Sequence, residues 1–225
     1  MVSDSPQASY LKPATFIDSD AVNVREFARA AISGARDEVG RAIALYEAVR
    51  EAILYDPYVD MSNPACYRAS AVLEARHGYC VGKASLLAAA ARASGMPARV
   101  GYADVRNHMT SARLYEALGT DIFHWHSYAD LCVEGRWVKA TPAFNASLCH
   151  RLGVHVLDFD GRNDSLFQQF DRSGRRHMEY LLDRGVYADV PFETILADFR
   201  VHYPALISKH GLSGDFQAEA VAENT

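Results

Sequence analysis

Cys80 combines a nucleophilic side chain with a position at the start of a predicted helix. It follows Gly78-Tyr79 and opens an alanine-rich run over 81–94, which ends at Gly95-Met96-Pro97. Glycine before such a run, and glycine with proline after it, are usual helix boundaries. Unpaired N–H groups and the positive end of the helix dipole would then face the sulfur and lower the thiol pKa. This placement predicts a thiolate nucleophile; the alternative is a cysteine that serves only packing.

Acyl transfer by a thiol also needs an imidazole base, a group that orients it, and N–H donors for the oxyanion. Segment 124–133 alternates in polarity as a strand does, and its polar face carries His124, His126, Tyr128, Asp130 and Cys132. His126 is the best candidate for the base. Free N–H groups at the start of the Cys80 helix can serve as oxyanion donors. The pattern therefore predicts acyl transfer on an amide carbonyl.

The elements that must position these residues are helices followed by strands. After a loose arm over 1–19, helices are expected over 20–34, 37–53, 70–75, 80–94 and 111–118, with a last one from Asp189 and Pro191. Strands are expected over 98–105, 124–133, 136–140 and 154–159, and Glu134-Gly135-Arg136 forms a hairpin turn. Helices that precede an antiparallel sheet indicate an α+β fold.

Taken together, these residues resemble the transglutaminase-like superfamily. The resemblance rests on Cys80 at a helix start, the run Gly95-Met96-Pro97-Ala98-Arg99, His126 in a strand, and Gly135-Arg136-Trp137-Val138. It implies a papain-like core in which a Cys-bearing helix packs on an antiparallel sheet, with a Cys-His-Asp triad in that chain order. We expect one domain over 1–225, with the recognisable core at about 40–145, a C-terminal extension over 146–212 and a frayed tail over 213–225.

Thr141 stands where the resemblance places the triad Asp, immediately before a proline. A threonine hydroxyl accepts a hydrogen bond from an imidazole N–H but brings no charge to stabilise imidazolium. Asn145, Asp158 and Asp160 are alternative orienting groups. The chain is therefore predicted to be a cysteine-dependent enzyme, a hydrolase rather than an amine transferase. The alternative is a binding module of the same fold that is weakly active or inactive.

Several other polar residues are candidates for binding. His124 and His126 lie two apart on a strand and could begin a zinc site with Cys132, but a third ligand at a defined spacing is missing. A zinc hydrolase that uses His124 and His126 is the less favoured alternative, and we predict neither a metal nor another cofactor. The substrate-cleft candidates are Tyr79, His124, Asn145, Asp160 and His177.

The composition limits the partners. The 225 residues carry a net charge of −5, and no Lys/Arg cluster suggests nucleic acid. No segment has the apolar length of a membrane span or the apolar core of a secretion signal. The four cysteines, which show no CxxC spacing, predict free thiols in a reducing cytoplasm. A peptide or a small amide is the expected substrate.

Overall fold

The computed structural model describes residues 7–108 and 110–222 of the chain. Its α-helices are α1 (Val22–Ala31), α2 (Glu38–Ala52), α3 (Ala69–Ala75), α4 (Cys80–Ala93), α5 (Ala112–Leu118), α6 (Ala146–Leu152), α7 (Phe192–His202), α8 (Pro204–Ser208) and α9 (Phe216–Ala222). Its strands are β1 (Leu54–Tyr55), β2 (His77–Gly78), β3 (Ala98–Asn107), β4 (Ile122–Val133), β5 (Arg136–Ala140) and β6 (Met178–Tyr187). Short 3-10 turns cover Ala8–Leu11 and Pro64–Cys66.

Helix α4 is the central element of the fold. Every residue from Cys80 to Arg92 is buried, as expected for a helix that consists mostly of apolar residues. Helices α1, α2 and α3 pack against it, and its other side lies on β4 and β3. The small side chains of Ala88–Ala91, all fully buried, allow these neighbours to approach closely. Cys80 therefore lies at the buried N-terminal end of a helix that packs against three helices on one side and against the sheet on the other.

The main sheet has the strand order β5-β4-β3-β6, and all of its pairings are antiparallel. His126 pairs with Ala103, and the register of β3 and β4 shifts between Ala103 and Val105. At that shift Trp125 has φ 59°, in the left-handed region that non-glycine residues rarely occupy. The strand that carries the candidate base is therefore irregular directly before His126. Mixed helices and one antiparallel sheet confirm the predicted α+β class.

The strand predicted over 154–159 is wrong, because this segment has no regular structure. Ser165 takes the place beside β5: its N–H donates to the Lys139 carbonyl, and its carbonyl accepts from the Thr141 N–H. The Leu157 carbonyl accepts instead from Tyr46 Oη and Arg50 Nη1. Two side chains of α2 thus make the hydrogen bonds to this backbone carbonyl that a neighbouring strand would otherwise have made. Strand β6 and helix α6 have no counterpart in the sequence prediction.

Both ends of the described chain are more ordered than the sequence suggests. The Asp189 carboxylate accepts from the N–H groups of Thr15, Phe16 and Ile17, so the arm over 7–19 is not loose. The predicted frayed tail contains α9, whose Phe216 packs edge-on against Tyr55 and Tyr58. An aromatic anchor in an otherwise polar segment explains this difference. Residues 1–6 and 223–225 lie outside the described residues.

Candidate active site

Cys80 is the first residue of α4 and lines a cavity that is open to solvent and spans about 390 Å³, the solvent space at its mouth included. His124 and His126 line the same cavity. The backbone N–H groups of Cys80, Val81 and Ser127 lie near the Cys80 sulfur and act to lower the pKa of its thiol. Because Ser127 directly follows His126, this proximity also places the thiol near the backbone of the candidate base. The helix start and the strand thus meet at the sulfur.

The thiol of Cys80 is not activated in this conformation. Burial raises the pKa of Cys80 to about 11, although the three N–H groups act to lower it. The direction is opposite to the lowering expected from a helix start. Cys80 is buried, so a thiolate there would lose its surrounding water. This loss raises the thiol pKa by more than the nearby N–H groups lower it. At neutral pH the sulfur therefore carries its proton.

His126 is a buried, neutral imidazole. Burial and the neighbouring His177 lower the pKa of His126 to about 4. Neither its Nδ1 nor its Nε2 has a hydrogen-bond partner within the described part of the chain. Both ring nitrogens are thus uncommitted. A neutral thiol and a neutral imidazole in one cavity can exchange a proton as the sulfur attacks, rather than resting as an ion pair.

Thr141 lies on the other side of His126, directly after β5. The two residues line a second cavity, also open to solvent, that spans about 230 Å³ with the solvent space at its mouth included. The backbone of Thr141 is fixed, because its N–H donates to the Ser165 carbonyl and its own carbonyl accepts from Tyr46 Oη at 3.3 Å. Its buried hydroxyl has no partner among residues 7–108 and 110–222. A free hydroxyl and a free imidazole thus border the same space.

The alternative orienting groups have other partners. Asn145 Oδ1 accepts from the Tyr55 N–H at 3.1 Å, and its Nδ2 donates to Ser147. Asp160 accepts from the N–H groups of Arg162 and Asn163 in an exposed turn. The Asp158 side chain is 95% exposed. Neither cavity that His126 lines includes any of the three as a described wall residue.

Two further cleft candidates lie near the site. Tyr79 is a wall residue of the Cys80 cavity. His177 is buried, stacks on Phe144 with ring centroids 6.1 Å apart, and lines a neighbouring cavity. Burial lowers the pKa of His177 to about 4, so a second neutral imidazole lies close to His126.

Asp104 is the residue of this region that sequence reasoning missed. Its Oδ2 lies 2.9 Å from His124 Nδ1. Arg184 donates to both carboxylate oxygens, at 2.6 and 2.8 Å. Hydrogen bonds from His124, Arg184 and the Trp125 N–H hold the pKa of Asp104 well below its usual range, against the effect of burial. A single carboxylate in the otherwise apolar stretch Val100–Val105 was the signal that could have identified it.

A metal site at the two histidines has no support in this geometry. His124 already faces the Asp104 carboxylate, and the Arg184 guanidinium lies 3.4 Å from its Nδ1. A cation beside a guanidinium would be repelled. Within the described ranges, no group of three His, Cys, Asp or Glu side chains is arranged to hold a metal ion.

The remaining walls of the Cys80 cavity are mostly apolar. Aliphatic, thioether and aromatic side chains surround the sulfur, namely Tyr55, Pro57, Met61, Leu114, Leu118, Phe123, Phe199 and Tyr203. Lysine, arginine and carboxylate side chains do not occur among the described wall residues. A charged group entering this cavity would lose its water without gaining a lysine, arginine or carboxylate partner from the described wall residues. The cavity suits an uncharged, apolar group.

Comparison with known proteins agrees with this architecture. Residues 25–142 match the model of the transglutaminase-like superfamily. A candidate cysteine protease from Cytophaga hutchinsonii superposes with a TM-score of 0.51 at 17% identity, over 84% of this chain and 49% of that one. At this identity the likeness shows the fold alone, and the present chain spans about half the length of that structure.

Two other solved structures are more distant. A candidate protease from Parabacteroides distasonis has a TM-score of 0.41 at 17% identity, over 60% of this chain and 26% of that one. A protein described as a TGase has a TM-score of 0.37 at 20% identity, over 60% and 32% of the two chains. The chain has no match among curated proteins. Helices long and apolar enough to cross a membrane do not occur within residues 7–108 and 110–222.

Proposed function

Because the chain belongs to the transglutaminase-like superfamily, we propose that it is a cysteine-dependent hydrolase of amides. Cys80 is the nucleophile, His126 is the base for the thiol, and Thr141 orients the His126 ring. The observation that carries the proposal is the shared cavity of Cys80 and His126, at the start of α4 and near the backbone N–H of Ser127. A cysteine buried only for packing needs none of these polar neighbours.

Catalysis begins from the neutral pair. The Cys80 sulfur attacks the amide carbonyl while its proton passes to His126, and the new S–C bond forms. The His126 imidazolium then gives the proton to the leaving amine as the C–N bond breaks. N–H groups at the start of α4 stabilise the oxyanion. Water releases the acid from the thioester and restores the thiol.

The substrate is a peptide or small amide with an uncharged, apolar acyl group. Support comes from the wall residues around Cys80, which are aromatic or aliphatic apart from the two histidines and the tyrosine hydroxyls. Hydrolysis is preferred to amine transfer, because water needs no binding site for a second substrate.

The test is amide hydrolysis by matched variants. We would measure release of aminomethylcoumarin from N-acyl amides of leucine, phenylalanine, lysine and glutamate. Wild type should favour the apolar pair. Cys80→Ala should lower kcat/KM by at least about 1000-fold, and His126→Gln by about 100- to 10,000-fold, with the melting temperature of Cys80→Ala unchanged. Activity retained in Cys80→Ala would exclude the nucleophile.

A binding module is the second candidate, and the raised pKa of Cys80 favours it. The same proteins distinguish the two. A module would bind the apolar amides equally well in wild type and Cys80→Ala, and neither protein would release the amine.

A further inference from the structure

The cavity of Cys80 contains a second imidazole that, unlike His126, is paired with a carboxylate. His124 Nδ1 lies 2.9 Å from Asp104 Oδ2, and the two side chains are 14% and 7% exposed. A carboxylate on one ring nitrogen fixes the orientation of the ring and leaves the other nitrogen, here Nε2, to accept a proton. His124 also lines the cavity in which an acyl group on Cys80 would lie.

Neighbouring side chains hold this pair rigidly. The Arg184 guanidinium spans Asp104 and Asp198, with 2.6 Å contacts to each carboxylate. The ring of His202 stacks on His124 at a centroid distance of 3.9 Å. The Asp104 carboxylate therefore faces both the guanidinium and the His124 ring, and the Asp198 carboxylate faces the guanidinium from another side.

His126 has no carboxylate partner in the described part of the chain. Its ring nitrogens have no partner in the part of the chain that the structure describes, and the neighbouring group on its far side is the uncharged Thr141. During formation of the acyl thioester, His126 accepts the thiol proton only briefly. It then gives that proton to the leaving amine. A water molecule attacking the thioester is a poorer acid than a thiol, so its base needs more support.

Backbone strain marks the same place. Trp125, between the two histidines, has φ 59°. Asp104 Oδ1 accepts the Trp125 N–H at 3.1 Å, and Asp198 accepts Trp125 Nε1 at 2.8 Å. Such strain persists where surrounding contacts enforce it and is common at functional sites. Asp104 thus fixes both the His124 ring and the backbone that precedes His126.

We propose that His124 is the base of the second half-reaction, in which water hydrolyses the Cys80 thioester, and that Asp104 positions it. This proposal rests on the proposed hydrolase function. Water oxygen forms a bond to the thioester carbonyl while one water proton passes to His124 Nε2. The C–S bond then breaks, the acid leaves, and the proton on His124 returns to the sulfur. One thioester and one water give one acid and one thiol.

The experiment separates the two half-reactions with p-nitrophenyl hexanoate as acyl donor. Its phenolate leaves without needing a proton, and its chain matches the apolar walls. Wild type should release a burst of p-nitrophenolate and then turn over steadily. His124→Gln should keep the burst rate within about twofold but slow the steady rate by about 100-fold, with a hexanoyl group retained on Cys80 by mass spectrometry. Asp104→Asn should slow the steady rate by about 10-fold.

Added hydroxylamine distinguishes a missing base from a damaged cavity. It attacks thioesters without needing a base, so it should release the acyl group from His124→Gln and from wild type at similar rates. His155→Gln, the same change at an exposed histidine, is the matched control and should behave as wild type.

The possible failures differ. Wild type that is never acylated on Cys80 would overturn the hydrolase function, and this inference with it. Wild type that is acylated while His124→Gln turns over at the wild-type rate would overturn the role of His124 alone.

Discussion

At the scale of single residues, Thr141 is the most unusual member of the site. It borders the same small cavity as His126 and its hydroxyl has no partner in the described chain. A hydroxyl can hold an imidazole in one orientation but cannot stabilise its positive charge. We infer that Thr141 restrains the His126 ring during thiol attack.

Thr141→Val keeps the shape of the residue and removes its hydroxyl. We expect kcat for apolar amides to fall by about 5-fold, because the variant cannot form the neutral hydrogen bond, worth about 1 kcal/mol, that we propose Thr141 makes to His126 during thiol attack. Steady-state kinetics at neutral pH measure this, and Thr15→Val, at an exposed threonine, is the control. Unchanged kcat in Thr141→Val would mean that another group orients His126.

At the scale of elements, a buried lysine connects two helices beneath the site. Lys83 lies one turn after Cys80 on α4, and its ammonium donates to the carbonyls of Arg50 and Ile53 at the end of α2. These contacts fix the start of β1, whose Tyr55 is a wall residue of the Cys80 cavity. Burial lowers the pKa of Lys83 to about 7.

This lysine makes folding stability depend on pH in a defined window. Between about pH 7 and 10 the unfolded chain keeps the Lys83 proton and the folded chain releases it, so the free energy of unfolding rises with pH. The contribution approaches about 1 kcal/mol per pH unit. Lys83→Met should lack this rise, as measured by urea unfolding at pH 7, 8 and 9.

Subtracting the two unfolding curves removes the effect of groups common to both proteins. Lys209→Met, at an exposed lysine, should retain the wild-type dependence. Identical slopes for wild type and Lys83→Met would show that the buried amine titrates as it does in the unfolded chain.

At the scale of the whole molecule, the ends of the described chain enclose the central helix. Asp189, between β6 and α7, binds the backbone of residues 15–17. Arg92 near the end of α4 donates to the carbonyls of Lys12, Ala98 and Ala188. The N-terminal arm, the helix and the C-terminal part therefore stabilise one another.

Asp189→Asn should destabilise the protein, since an amide oxygen is a weaker acceptor than a carboxylate for three N–H groups. We expect a loss of about 2 kcal/mol and a fall in melting temperature of roughly 4–8 °C. Differential scanning calorimetry measures it, and Asp20→Asn, at an exposed residue directly after the arm, should change stability by less than about 0.5 kcal/mol. Equal losses of stability in Asp189→Asn and Asp20→Asn would show that the Asp189 carboxylate contributes no more to stability than an exposed carboxylate does.

The sequence by itself determined the family, the α+β class and most element boundaries. Local signals suffice for these features: Gly78 and Gly95 bracket α4, Asp37 caps α2 through the Gly40 N–H, and Ser111 caps α5. Strand β6 remained unpredicted because its exposed residues lack regular alternation, and its position depends on pairing with β3.

Only the tertiary structure decided the electrostatics of the site. The thiol pKa of Cys80 depends on how much water the surrounding walls exclude, and those walls come from segments far apart in the chain. The pairing of Asp104 with His124 likewise depends on strand register and on Arg184 from β6. A helix start can be read locally, whereas burial and charge partners are properties of the folded chain.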